Sequence, residues 1–202
     1  MAEEDKSKDR DDFDVYTKLL KSRTLFLTSE IDADMASDLI ARIIYLDELS
    51  HTKEIKLYIN SPGGATDGFF AIYDIMQQVS APIKTICIGE ACSSAAVVLA
   101  GGSSGKRFAS SHSLIMIHNL QISDLSGSMT ELTNQMSMLA KLNTNFTELL
   151  ARHTGQPLTK IRKDCAQDMY LSADEALEYG IVDKILPPKK KQIPLKAKKT
   201  TK

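Results

Sequence analysis

The 202-residue sequence contains no tryptophan, and only three cysteines, six prolines and ten glycines. Cys87, Cys92 and Cys165 form no recognisable paired framework. That excludes a disulfide scaffold and points to a reducing, cytoplasmic setting. No CxxC pair or His/Cys cluster is present, so no metal ligand set is predicted. No apolar run approaches the ~18 residues of a membrane span. The acidic N-terminal residues do not resemble a signal or transit peptide. Net charge is −1, without the excess of either sign that would single out nucleic acid or anionic lipid as a partner. There is no Gly-x-x-x-x-Gly-Lys-Ser/Thr loop, so ATP would have to be used by a partner.

What is present is apolar enough, at 43% hydrophobic, for one domain with a sizeable core. The charge is unevenly placed. Residues 1–14 carry seven acids and three bases, and residues 187–202 carry seven lysines and no acid. Both ends lack the apolar side chains that offset ordering entropy, so they read as solvated segments flanking a domain at 15–186.

Within that domain the hydrophobic spacing predicts a short helix from Val15, then a strand at Leu25–Leu27. The 3–4 spacing of Met35, Leu39, Ile40, Ile43, Ile44 and Leu46, with Asp32 as N-cap, predicts a helix over 32–49. Strands are predicted at 55–59, 83–89 and 114–117, and helices at 67–79 and 93–99. This alternation argues for βαβ units and a parallel sheet. A long helix is predicted over 128–152, with Met129, Leu132, Met136, Leu139, Leu142, Phe146 and Leu149 on one stripe and Gly155 as its stop. Ser172-Ala173-Asp174-Glu175 fits a capping box, and Gly180 the end of that short helix.

Three places carry chemistry. In Gly89-Glu90-Ala91-Cys92-Ser93-Ser94-Ala95 a serine sits where a strand gives way to a helix. Free N–H groups and partial positive charge there suit an oxyanion formed beside the serine oxygen. An Ala/Ser-rich helix packed on a sheet, with Ser93 as a mere cap, would look the same in isolation. Ser61-Pro62-Gly63-Gly64 ends a strand with two glycines that leave N–H groups uncovered, as an oxyanion donor or an ordinary turn would. His118 ends the run Ile115-Met116-Ile117, where a general base would be rigidly held. A base of this kind needs a carboxylate to fix its tautomer. Spacing does not choose among Asp164, Asp168 and Asp174.

Together these segments resemble the ClpP family of proteolytic subunits, over about residues 15–186. The matching pieces are Tyr-Ile-Asn-Ser-Pro-Gly-Gly at 58–64, Ile-Gly-Glu-Ala-Cys-Ser at 88–93, Gly-Lys-Arg-Phe at 105–108, Ile-Met-Ile-His at 115–118, His-Thr-Gly-Gln at 153–156, and Gln167-Asp168 before Leu171-Ser172-Ala173. The resemblance implies a crotonase-like α/β spiral with a protruding helical handle, the 128–152 helix. It implies Ser93 as nucleophile, His118 as base, Asp168 as the orienting carboxylate, and Gly64 and Ser94 as oxyanion donors, with no cofactor. It further implies heptameric rings stacked in pairs, fed with unfolded polypeptides by a hexameric AAA+ ATPase.

The sequence departs from the family pattern in several places. Ser94 stands where a less polar residue or methionine is usual. Residues 119–124 replace a Gln-Pro and glycine pair. Ala166 and Gln167 replace an acid and an arginine used between rings, and the N-terminus lacks an apolar axial-loop segment. These departures suit a divergent paralogue that works with a second ClpP subunit, at the limit as a weakly active scaffold. An acyl-CoA enzyme of the crotonase fold would share the paired oxyanion N–H groups but would not need Ser, His and Asp together.

Overall fold

The computed structural model of the chain describes residues 15–121 and 125–187. The acidic segment expected at 1–14, all but Pro187 of the expected basic tail, and Ile122, Ser123 and Asp124 lie outside the described residues. The elements run α1 (Val15–Lys21), β1 (Thr24–Leu27), α2 (Ala33–Leu49), β2 (Ile55–Ser61), α3 (Thr66–Gln78), β3 (Ile83–Cys92), α4 (Ser94–Ala100), β4 (Arg107–Ser110), β5 (Leu114–Ile117), α5 (Met129–Thr154), α6 (Leu158–Asp164), β6 (Met169–Ser172), α7 (Ala173–Tyr179) and β7 (Lys184–Leu186).

The described residues form a seven-stranded sheet of order β1-β2-β3-β4-β7, with β5 joining β3 and β6 joining β5. Every pairing is parallel except β5 with β6. The predicted βαβ alternation is therefore what forms. β3 is longer than the spacing predicts, and it changes partner along its length. Thr85–Cys87 pair with β4, whereas Glu90–Cys92 pair with β5. A register shift against β2 separates the two halves, where Ile59 faces Cys87 but Ser61 faces Ala91. The Asn60 side chain fills the bulge, accepting the Glu90 N–H at 3.1 Å. This bend carries the end of β3, and with it Ser93, out of the main sheet.

One sheet face is fully packed and the other only partly covered. In β2, Ile55, Leu57, Ile59 and Ser61 are buried while Lys56 and Tyr58 are half-buried. Such alternation is what a strand with one covered face requires. Helix α4 is buried along its whole length, because its small side chains let it lie close against β3. On the open face Phe26 stacks on Tyr58 at 5.8 Å and Tyr16 meets Phe26 edge-on at 6.0 Å.

Helix boundaries follow their caps. Asp32 accepts the Met35 N–H at 2.8 Å and starts α2. Ser128 with Glu131, and Ser172 with Glu175, form capping boxes for α5 and α7, and Gly155 and Gly180 end those helices in the left-handed region. The stripe predicted on α5 is continuous in sequence but not in burial. Phe146 and Leu149 enter the core, while Met129 and Met136 are 79% and 56% exposed. Periodicity identifies the apolar face and not what covers it, and the N-terminal part of α5 stands away from the body of the chain.

Candidate active site

Ser93 lies between the last residue of β3 and the first of α4, at φ 55°, ψ −124°. A non-glycine residue rarely occupies that region, and holding one there costs on the order of 1–3 kcal/mol. The surroundings impose it. The Ser93 N–H donates to the Met116 carbonyl at 2.8 Å, tying the turn to β5. Gly63 packs against the turn so closely that a Cβ at that position would lie 2.7 Å from the Cys92 carbonyl oxygen and 2.8 Å from Ser93 Cβ. Only glycine fits there.

The neighbouring Gly64 is bridged to Ile31 in parallel fashion. Ile31 N–H donates to the Gly63 carbonyl at 2.8 Å and Ala65 N–H donates to the Ile31 carbonyl at 2.7 Å. With its neighbours engaged on that side, Gly64 directs its own N–H and C=O to the other. That side is occupied by the start of α4, where Ser94 Oγ donates to the Gly64 carbonyl at 3.4 Å. Gly64 holds φ +149°, and a side chain there would run into the Ile31 backbone.

His118 follows the last residue of β5. Its Nε2 lies 2.8 Å from Ser93 Oγ, and its side chain is 12% exposed. Its Nδ1 lies 3.4 Å from Asp168 Oδ1. That is within ion-pair reach, but Nδ1 is buried and makes no hydrogen bond, so the Asp168 contact is close without being aligned. The Asp168 side chain is 45% exposed.

The alternatives that spacing left open separate in the fold. Asp164 accepts from Lys160 Nζ at 2.5 Å and from Tyr179 O–H at 2.7 Å. Burial pushes its carboxyl up, but these donors outweigh that and hold it below the usual carboxylate value. Asp174 is exposed in the first turn of α7. Of the three, Asp168 approaches His118. His51 pairs with Asp47 at 3.1 Å, and His153 Nε2 lies 2.8 Å from the Tyr73 hydroxyl.

Cys92, next to Ser93, is held as a neutral thiol. Burial, then the charge and hydrogen bond of Glu90, push its thiol up to about 11, with Asp168 adding to the effect. Among the described residues no group of three or more His, Cys, Asp or Glu side chains is placed to hold a metal ion.

A family model described as Clp protease matches residues 7–189. The chain belongs to the Clp protease family. The Clp protease match spans every element described above, and Ser93, His118, Asp168, Gly64 and Ser94 all fall inside it. The residues preceding Asp168 are uncharged: Ala166 and Gln167 are both exposed beside it. Two features of the site were not anticipated from sequence. The Gly63 contact with Ser93 was hidden within a motif read for its exposed N–H groups. The Met116 carbonyl that anchors Ser93 carries no sequence signal, because any residue supplies a carbonyl.

Proposed function

We propose that this Clp protease family chain is a serine endopeptidase subunit that cleaves unfolded polypeptides to short peptides. The observation that carries the reading is the 2.8 Å contact between Ser93 Oγ and His118 Nε2, at a serine held at positive φ by its surroundings. Ser93 Oγ attacks the scissile carbonyl carbon while its proton passes to His118 Nε2. The oxyanion accepts from the N–H groups of Gly64 and Ser94, the second of which is the first residue of a helix and has no intrahelical acceptor. The tetrahedral species collapses, the C–N bond breaks, and His118 returns the proton to the leaving amine. Water, deprotonated by His118, then attacks the acyl-serine ester and releases the new carboxylate and Ser93. Asp168 stabilises the imidazolium formed in each half.

On this reading the chain assembles as heptameric rings stacked in pairs, alone or with a ClpP paralogue, and a hexameric AAA+ ATPase supplies unfolded substrate. The partly uncovered sheet face and the exposed apolar part of α5 support assembly, since both are surfaces that a lone chain leaves wet. Three buried free cysteines support a reducing, cytoplasmic setting. Among the described residues no helix is long and apolar enough to cross a membrane.

A second reading, a weakly active scaffold beside an active paralogue, draws on the unaligned His118–Asp168 contact. The two are separated by assaying cleavage of a fluorogenic peptide by the protein alone and mixed with a paralogue, each with and without Ser93→Ala. The endopeptidase reading predicts turnover by the protein alone that Ser93→Ala abolishes. The scaffold reading predicts activity that survives Ser93→Ala in the mixture.

A further inference from the structure

The regular pairing that positions His118 stops just before it: Ile117, paired with Met169, is the last residue of β5. The two residues after the histidine are nonetheless held, by three hydrogen bonds from two other elements. Asn119 N–H donates to the carbonyl of Cys165, the C-cap residue that follows α6, at 2.8 Å. Leu120 N–H donates to the side-chain carbonyl of Asn143 at 2.9 Å. The same amide, through Nδ2, donates to Asn119 Oδ1 at 3.1 Å. One side chain on α5 thus engages both residues that follow His118.

Asn143 is itself anchored. It is half-buried, one turn before the part of α5 that enters the core at Phe146 and Thr147, and Thr147 Oγ1 donates to its backbone carbonyl at 3.0 Å. Asparagine is a poor helix former, and alanine would suit the helix interior better. The amide's contribution lies in what it reaches across to. The imidazole it steadies is already poised, with Nε2 on Ser93 Oγ at 2.8 Å and Nδ1 3.4 Å from Asp168 without a hydrogen bond. A small swing of residue 118 decides whether that second contact closes.

We propose that Asn143 is a positioning residue for the His118 base, acting through Asn119 and Leu120 without touching substrate. The inference rests on the serine-peptidase reading of Ser93 and His118. Displacing a catalytic group by about 1 Å costs on the order of 10²-fold in rate, so the effect falls on turnover rather than on binding.

The test uses the full-length assembled protein. Asn143→Ala should lower kcat on a fluorogenic peptide about 10–100-fold, with KM within about 2-fold, and should slow fluorophosphonate labelling of Ser93 by a similar factor. Asn143→Asp should restore most of the rate, because it keeps the acceptor for Leu120 and the Asn119 amide can turn to donate to it. Asn119→Ala attacks the contact from the other side. The double variant should be no worse than Asn143→Ala, since coupled residues are not additive. Native mass and thermal midpoint are followed for each variant. Wild-type kcat and labelling rate in Asn143→Ala, beside an inactive Ser93→Ala, overturn the inference alone, as do multiplying losses in the double variant. Turnover retained by Ser93→Ala overturns the peptidase reading on which the inference rests.

Discussion

His118 and Asp168 stand opposite each other one step beyond the last paired residues of β5 and β6. Those strands are antiparallel, with Ile117 facing Met169, so the next opposed pair is 118 with 168. The closeness of imidazole and carboxylate is therefore a consequence of strand register, which the burial of Ile115, Ile117 and Leu171 on the core side holds in place. A slip of one residue would turn those side chains outward and separate the pair.

The three aspartates around this register are expected to behave differently. Asp168→Asn should lose most peptide hydrolysis, on the order of 10⁴-fold, because an amide does not stabilise the imidazolium. Asp164→Asn should keep near-normal kcat but lower the thermal midpoint, since it weakens the contacts from Lys160 and Tyr179. Asp174→Asn should change neither. Steady-state kinetics and thermal melts on the three purified variants check this, and an inactive Asp164→Asn would contradict the assignment of Asp168.

Gly63→Ala should be more damaging than its single added methyl suggests. That methyl would meet the Cys92 carbonyl and the Ser93 Cβ, in a residue at φ +98°. Either the loop carrying Gly64 moves away or the Ser93 turn does, and both separate the serine from the proposed oxyanion donor at Gly64. Loss of one such donor costs about 10²–10³ in kcat. Fluorophosphonate labelling rates of Gly63→Ala and wild type measure the effect on Ser93 directly.

Much of this was legible in the sequence, and the remainder fails for identifiable reasons. Strand β2 alternates visibly, and α2, α5 and α7 are marked by Asp32, Gly155, Ser172 and Gly180, whose capping roles act locally. Strands β4, β6 and β7 have three or four residues each, and α6 has seven with only Ile161 buried. Elements so short carry too few apolar positions to show a period, and long-range pairing stabilises them. Because β6 was among the unread elements, spacing left Asp164, Asp168 and Asp174 open, while the resemblance pointed to Asp168. The link from Asn143 to Asn119 is likewise tertiary. Its only local trace is an asparagine where the helix would favour another residue.

Mild acid should destabilise the fold through His153. Burial, then the positive charges of Arg107 and Arg152, hold this imidazole below its ordinary value of 6.5. The unfolded chain therefore binds the proton more readily. The stability tied to neutral His153 is complete above the ordinary value and declines as pH falls through it toward the folded value. Thermal midpoints should drop from pH 7.5 to about 5.5. His153→Gln, which retains a polar partner for the Tyr73 hydroxyl, should flatten that drop. An unchanged slope in the variant would assign the acid sensitivity elsewhere.

If the chain stacks in paired rings as proposed, that stacking should depend on apolar contact more than on charge. Ala166 and Gln167 place no ion pair beside Asp168, while Met136 and Met138 of α5 are 56% and 62% exposed. Met136→Glu with Met138→Glu should shift sedimentation from double to single rings. Raising salt from about 0.1 to 0.5 M should have little effect on the wild-type protein, because screening acts on exposed charge. Double rings that dissociate steeply with salt would contradict this.

The most direct test of the central claim is labelling of the purified protein with a fluorophosphonate, with the modified residue mapped by mass spectrometry and peptide hydrolysis followed in parallel. The account predicts a single adduct on Ser93, loss of hydrolysis in proportion to labelling, and neither labelling nor hydrolysis in a folded Ser93→Ala variant, a fall of about 10⁴–10⁶ in rate. An adduct elsewhere, or hydrolysis that persists when Ser93 is fully modified or replaced, would contradict it.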